Sequence, residues 1–276
     1  MATEPAAPDP VAPPAQQPEA AELQELRDSL AALQRRMEGE LRLAATVQRA
    51  LLPQPRDFEG LELAREFLPF REIGGDYYDV LELPGKRLAI AIGDVMGKGV
   101  AAALLVATLK SSVRSELRGA PAPLAEQMAR INRLFFEVTP RGRFASLFVG
   151  VLCLDSGRLE YVNAGHDYPL VVRSDSRVCE LIAGGMVLGL VEAGRYESAE
   201  LTLCKGDLLV LYTDGVTDRM NAQGEMYGPA RLQQAALDSR GHGSRIALYS
   251  LLGEVQGWSA GCPASDDMTL LVAKRT

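Results

Sequence analysis

Near the N-terminus, apolar residues recur at every seventh position. Two such series run three residues apart: Leu23, Leu30, Met37, Ala44 and Leu51, and Leu26, Leu33, Glu40 and Val47. Alternating steps of three and four residues are typical of a helix that packs along one face against a second helix. We therefore predict a coiled-coil helix over residues 21–52, which Pro53 and Pro55 end.

The apolar seam of this helix is interrupted near its middle. Gly39 adds flexibility and Glu40 places a charge at a seam position, so we expect the helix to be strained or splayed there. Such a helix could lie on its own domain or pair two protomers. The heptads favour pairing, which predicts a homodimer through residues 21–52.

Residues 1–20 have a different composition from the helix that follows. They are rich in alanine and proline and contain no lysine or arginine. Because they lack the apolar content of a core, we predict a disordered tail.

Beyond Pro53 the pattern changes to short apolar or alternating runs separated by Gly, Asp and Ser turns. Runs such as YYDVLEL and RLAIAIGDV predict consecutive strands, the second buried on both faces. Helical patterns follow at about 99–117 and 122–138, and two more lie between about 229 and 258. Strands in runs and helices in pairs predict one α+β layered domain over residues 53–276 rather than a doubly wound sheet.

Composition narrows the class of protein. The net charge of −7 argues against a nucleic-acid surface, which needs clustered lysine and arginine. The longest apolar stretch, LAIAIGDVMGKGVAAALLVATL, is interrupted by Asp94 and Lys98 and predicts no membrane span. Four cysteines are scattered singly and no signal peptide is recognisable, so we expect a cytoplasmic protein.

Four aspartates stand at the ends of strand-like runs, each beside turn residues: Asp76, Asp94, Asp214 and Asp266. Any one of them alone could be an ordinary turn residue. Carboxylates at strand ends, with glycine letting the backbone close around them, suit hard cations such as Mg²⁺ and Mn²⁺. Four in the same context predict a two-metal centre in which a bridging water becomes the nucleophile.

These strings also carry a family resemblance. In chain order they are GGDYYD, GDVMGKG, NAGH, LYTDGVTD and DDMTLLV. Together they resemble the bacterial, SpoIIE/RsbU-type branch of the metal-dependent (PPM) phosphatases, which is related to the eukaryotic 2C-type enzymes. The resemblance covers about residues 53–276. It implies a central β-sandwich flanked by helical pairs, and a protein serine/threonine phosphatase that uses two Mn²⁺ or Mg²⁺ ions.

The resemblance implies a role for each candidate ligand. Asp94 would bridge both ions, and the backbone carbonyl of Val95 would be a further ligand. Asp76 would hold the second ion from a neighbouring strand. Asp214 and Asp266 would hold the first ion.

Two further residues in the motifs bear on the chemistry. Asp267 is adjacent to Asp266 and points in a different direction on an extended chain. The resemblance implies that Asp266 is the ligand and Asp267 its neighbour. Met96 stands where the eukaryotic enzymes have a histidine that protonates the leaving group, which leaves the general acid unassigned.

The other polar residues of these motifs have structural interpretations beside chemical ones. His166 is more simply a structural histidine beside a turn than an acid catalyst, and Lys98 is either a solvated side chain or one that attracts a phosphate. Thr217 and Asp218 are expected to stabilise the loop after the third aspartate. Asp79 is expected to be a sheet-edge partner of Asp76.

The resemblance also suggests a substrate. In that family it is usually a phosphorylated STAS-domain regulator, an anti-anti-sigma factor that captures an anti-sigma kinase once dephosphorylated. The alternative is a catalytically weak phosphatase-like scaffold that binds a signalling partner, and the four intact aspartates argue against it. GGDYYD also suggests a GGDEF-like nucleotide cyclase, but the rest of that pattern and a phosphate-binding loop are missing.

Overall fold

The computed structural model describes residues 17–53, 56 and 58–276. Contacts divide the chain into two compact units, Met1–Leu43 and Ala44–Thr276. Most of the predicted tail lies outside the described residues.

Helix α1 spans Gln17–Leu51, so it begins four residues before the predicted start, inside the segment assigned to the tail. The expected splaying at Gly39 and Glu40 is not observed, because the helix is continuous through both residues. Glu40 instead forms an exposed ion pair with Arg36. The predicted seam residues of the first unit are all more than half exposed: Leu23, Leu26, Leu30, Leu33 and Met37.

The second unit contains the remaining elements, whose bounds follow. The strands are β1 (Leu61–Leu68), β2 (Asp76–Leu83), β3 (Arg87–Val95), β4 (Ala145–Cys153), β5 (Arg158–Ala164), β6 (Leu170–Val172), β7 (Val178–Glu180), β8 (Gly184–Gly185), β9 (Ala199–Thr202), β10 (Leu208–Tyr212) and β11 (Met268–Arg275). The helices are α2 (Val100–Arg118), α3 (Leu124–Val138), α4 (Asp214–Thr217), α5 (Gly228–Asp238) and α6 (Ser244–Trp258).

The strands form two sheets. One has the order β1-β11-β10-β6-β7, and the other has the order β2-β3-β4-β5-β8, with β9 also pairing with β5. The pairings are antiparallel except that of β5 with β8. Helices α2 and α3 pack on the sheet that contains β3, and α5 and α6 pack on the sheet that contains β11. The fold therefore belongs to the α+β class, as the sequence pattern predicts.

Three layers of apolar side chains hold the unit together. Leu88, Ile90 and Ile92 of β3 pack in the middle layer with residues of the other sheet such as Leu211. Alternate residues of the same strand, such as Ala89, pack in a second layer with α2 and α3. A third layer lies between α5, α6 and the sheet that contains β11. β3 is therefore buried on both faces, as its apolar sequence predicts.

Three short elements were not anticipated from the sequence. β8, β9 and α4 are two to four residues long, which is too short for a periodic pattern to develop. Helix α3 begins at Leu124, after Pro123, rather than at residue 122. In the described part of the chain, no helix combines the length and the apolar character that crossing a membrane requires.

Candidate metal centre

The ends of β2 and β3 bring the first two aspartates together. Asp76 and Asp94 are direct partners across this antiparallel pair, as expected from the sequence. The loop before β2 also closes on the end of β3, since the N–H of Val95 donates to the carbonyl of Gly75 at 3.0 Å.

Gly75 allows several oxygen atoms to lie close together. A Cβ atom at this position would lie 2.8 Å from the carbonyl oxygen of Val95, 3.0 Å from that of Gly97 and 3.2 Å from Oδ1 of Asp94. Contacts this short are not tolerated, so the absence of a side chain is required. Two of these three oxygens belong to predicted ligands, Asp94 and Val95.

Asp76 is fixed by threonines from the opposite sheet. Its Oδ2 accepts hydrogen bonds from Oγ1 of Thr213 at 2.8 Å and Oγ1 of Thr269 at 2.5 Å. The N–H of Thr269 in turn donates to Oγ1 of Thr213 at 3.0 Å. Burial, followed by the charge of Asp94, raises the pKa of Asp76 well above its usual value. The side chain therefore joins both sheets at the same end as Asp94.

Asp214 begins the short helix α4 directly after β10. Its carbonyl accepts hydrogen bonds from Oγ1 of Thr217 at 3.2 Å and from the N–H of Asp218 at 2.7 Å. These two residues thus stabilise the turn, as the sequence predicts. Burial, and then the charges of Asp266 and Asp218, raise the pKa of Asp214.

Asp266 and Asp267 point in different directions. Asp267 is buried, and its two oxygens accept the N–H groups of Phe70 and Gly75 at 2.7 Å each. Asp266 is half-buried and forms an ion pair with Lys98, with 2.8 Å between Nζ and Oδ2. Asp267 therefore holds the loop before β2.

Burial, followed by mutual repulsion, raises the pKa values of the carboxylates at this end of the molecule. Burial, followed by the charges of Asp214 and Asp266, raises the pKa of Asp94 to about 7. Burial and the charges of Asp214 and Asp218 raise the pKa of Asp167 to about 6. Carboxylates raise each other's pKa when they lie near one another, because each disfavours the charged form of the other. Asp167 directly follows the NAGH string, and the sequence analysis missed it.

His166 connects the two sheets beneath the carboxylates. Its Nε2 lies 3.0 Å from the carbonyl oxygen of Tyr212, which can only accept, so Nε2 carries the proton. Nδ1 therefore accepts from Oγ of Ser146 at 2.8 Å, and that Oγ accepts the N–H of Asp94 at 3.3 Å. Burial lowers the pKa of His166 to about 4. The residue is structural, as the sequence indicates, with both ring nitrogens engaged.

The prediction for Asp79 was wrong. Instead of pairing with Asp76, its buried carboxylate accepts two hydrogen bonds from Arg114 of α2, at 2.6 and 2.8 Å. Lys110 of the same helix lies 3.4 Å away. The contact anchors α2, which follows the GDVMGKG loop, onto β2. Nothing in the local sequence indicates it, because Asp79 and Arg114 are 35 positions apart.

The residues present fit a hard divalent cation. The donors are carboxylate and carbonyl oxygens, which Mg²⁺ and Mn²⁺ prefer, and a cation would relieve the repulsion between Asp94, Asp214 and Asp266. Among the described residues, no three histidine, cysteine, aspartate or glutamate side chains already form a group that could hold an ion. Asp266 is engaged by Lys98.

Comparisons with known proteins agree on one family. The family model described as stage II sporulation protein E (SpoIIE) matches residues 84–276. The phosphoserine phosphatase RsbU of Bacillus subtilis (strain 168) is 28% identical over 252 residues, which are 90% of this chain and 73% of RsbU.

Two solved structures show the same fold. The RsbU and RsbW domains of Rv1364c from Mycobacterium tuberculosis match with a TM-score of 0.65 at 28% identity, covering 78% of this chain and 60% of that chain. The SiaA-PP2C domain of Pseudomonas aeruginosa matches with a TM-score of 0.78 at 21% identity, covering 89% of this chain and 98% of that chain.

Proposed function

Because the chain belongs to the SpoIIE family and is a protein serine/threonine phosphatase, we propose that its activity depends on a metal ion. We propose that its substrate is phosphoserine or phosphothreonine on a regulatory protein. The observation that carries the proposal is the meeting of Asp76, Asp94, Asp214 and Asp266 at one end of both sheets. Buried carboxylates that repel one another are unfavourable unless a cation offsets their charge.

Each residue has a defined part in this proposal. Asp94 would hold both ions, with the backbone carbonyl of Val95 as a further ligand. Asp76 would hold the second ion, and Asp214 and Asp266 would hold the first. Bound Mn²⁺ or Mg²⁺ supplies the activated water and the charge neutralisation that phosphomonoester hydrolysis needs.

The protein's own residues position this set of ligands. The two threonine hydrogen bonds orient Asp76, and Ser146 and His166 fix the backbone at Asp94 relative to the end of β10. A neutral histidine with both nitrogens engaged is not available to protonate a leaving group. The general acid is therefore not His166.

We propose a phosphorylated STAS-domain regulator as the substrate. The support is the similarity to the phosphoserine phosphatase RsbU, and to a protein in which RsbU and RsbW domains occur together. We propose a cytoplasmic location for this protein, where it would meet such a regulator.

We further propose that α1 pairs two protomers. The support is the exposed apolar series on its first unit, since a helix gains stability when such a face is buried against another helix.

Hydrolysis of p-nitrophenyl phosphate by the purified chain, in EDTA and in saturating Mn²⁺, tests the proposal. We expect turnover in Mn²⁺ and none in EDTA, with Asp94→Asn as the inactive control. Activity that is equal in both conditions would contradict metal dependence, and a folded protein without activity in either would favour the scaffold alternative. Phosphoproteomics of cells with the wild-type or the Asp94→Asn chain would then identify the substrate.

A further inference from the structure

Lys98 lies in the loop between β3 and α2 and contacts the candidate metal centre at three points. Its Nζ lies 2.8 Å from Oδ2 of Asp266 and also donates to the carbonyl of Ser265. The same ammonium group lies 4.9 Å from the centroid of the Phe70 ring. Three different kinds of contact hold one side chain, which distinguishes it from a freely solvated lysine.

The backbone around Lys98 sets this position. The residue stands between Gly97 and Gly99, which have φ angles of +108° and +78°. Other residues rarely adopt this conformation, so the two glycines direct the loop back toward the carboxylates. Phe70, which contacts Lys98 from the other side, is itself fixed by its N–H bond to Asp267.

We propose that Lys98 is a built-in counter-cation that occupies the Asp266 carboxylate and competes with a divalent ion for it. The inference rests on the proposed metal dependence and adds a regulating residue to that site. Asp266 cannot direct the same oxygen toward both an ammonium group and a metal ion, and like charges at short distance repel. Metal binding through Oδ2 of Asp266 therefore requires the release of Lys98.

Its charge also reaches the other carboxylates of the centre. Lys98 opposes the rise in the pKa values of Asp94, Asp214 and Asp267. It thus partly neutralises the whole cluster in the absence of an ion.

The competition predicts a gain in metal affinity when the ammonium group is removed. In Lys98→Met the chain keeps a side chain of similar length without charge. We expect the Kd for Mn²⁺, measured by isothermal titration calorimetry on the EDTA-treated full chain, to fall about two- to fivefold, which is the strength of a partly exposed ion pair. The matched control is Arg71→Met, because Arg71 lies 5.4 Å from the same ring and forms no ion pair within the described residues. We expect the Kd of this variant to match the wild type.

A double-mutant cycle separates competition at Asp266 from a general effect of charge. In EDTA, Lys98→Met should lower the Tm of the wild-type chain by more than it lowers the Tm of Asp266→Asn, which keeps only the longer-range effect of Lys98 on the other carboxylates. An unchanged or higher Kd in Lys98→Met, or an equal loss of Tm in both backgrounds, would overturn the competition alone. If the wild-type chain binds no Mn²⁺, the proposed metal dependence fails as well.

Discussion

At the scale of single residues, the carboxylates at the candidate metal centre are held by different kinds of contact. Asp76 accepts from two threonines, Asp267 accepts from two backbone N–H groups, and Asp266 pairs with Lys98. These differences predict that substitutions of neighbouring aspartates will have different consequences, some for catalysis and others for stability.

Asp94→Asn should abolish phosphatase activity and leave the fold intact. Its carboxylate would serve both ions, so the loss of its charge should prevent Mn²⁺ from binding. In EDTA the variant should unfold at the same temperature as the wild type or slightly above, because one of several repelling carboxylates is gone. Activity in saturating Mn²⁺ and circular-dichroism melting in EDTA check both parts. A well-folded variant with near-wild-type turnover would refute the assignment.

Asp266→Ala and Asp267→Ala should have opposite profiles. Asp266→Ala should lose activity at nearly unchanged stability, since its ion pair is partly exposed. Asp267→Ala should lower the free energy of unfolding by about 2–3 kcal/mol, because two N–H groups lose a charged acceptor, and should keep a measurable share of activity. Urea unfolding in EDTA and Mn²⁺-dependent turnover distinguish them. The reverse pattern would mean that the second aspartate of the motif is the ligand.

His166 should make the protein less stable in mild acid. Burial lowers its pKa from 6.5 to about 4, so below 6.5 the unfolded chain binds the proton that the folded chain refuses. The stabilisation is complete above 6.5 and is lost as the pH falls toward 4. By linkage, about 2 kcal/mol of unfolding free energy should disappear between about pH 7.5 and about pH 5.

His166→Asn, which cannot titrate, isolates this contribution. The carboxylates with raised pKa values act in the opposite direction but are common to both proteins. Urea unfolding across this pH range should therefore show a steeper loss for the wild type. Parallel pH profiles would show that His166 is not buried in its neutral form.

At the scale of elements, helix α1 contributes residues to both compact units. Its residues up to Leu43 expose the heptad face, whereas Gln48 is buried in the second unit. The amide of Gln48 donates to the carbonyl of Gly74 at 2.7 Å and accepts its N–H at 3.1 Å. A truncation that tests the heptads should therefore begin at Ala44 and not at Pro53, because the later start removes Gln48.

The full chain should be a dimer and residues 44–276 a monomer. The exposed leucines of the first unit provide the seam, and Glu40 interrupts it with a charge that is costly to bury. Glu40→Leu should therefore tighten the dimer. Multi-angle light scattering at tens of micromolar checks all three proteins, with Glu38→Leu as the control outside the predicted seam. A full-length monomer at that concentration would refute the coiled coil.

Helices and strands could be predicted from the sequence where they are long enough for a repeat of apolar residues to be recognised. The strand predicted from RLAIAIGDV has the observed bounds, Arg87–Val95, because its apolar run is long and ends at a glycine turn. In contrast, β8 and β9 depend on pairing with β5 rather than on their own sequence. The continuity of α1 through Gly39 was also missed, since a single glycine weakens a long helix without ending it.

At the scale of the whole molecule, the motifs predicted the α+β sandwich and the aspartates that meet at its end. They could not predict the contacts that fix those aspartates. Thr269 bonds to Asp76 from 193 positions away, and Ser146 is 52 positions from Asp94. Such contacts depend on which strand ends coincide once the sheets have packed. Local spacing does not contain that information.

The position of β11 has a consequence for the order of folding. This strand lies between β1 and β10 in its sheet and carries Thr269, and the adjacent Asp267 holds Gly75 across 192 positions. During synthesis the hairpin of β2 and β3 leaves the ribosome long before β11 does. Closing so long a loop is slow, so the nascent chain carries Asp76 and Asp94 without their partners. The candidate metal centre is therefore assembled only after translation has passed β11, so the last strand to be made is also the one that completes it.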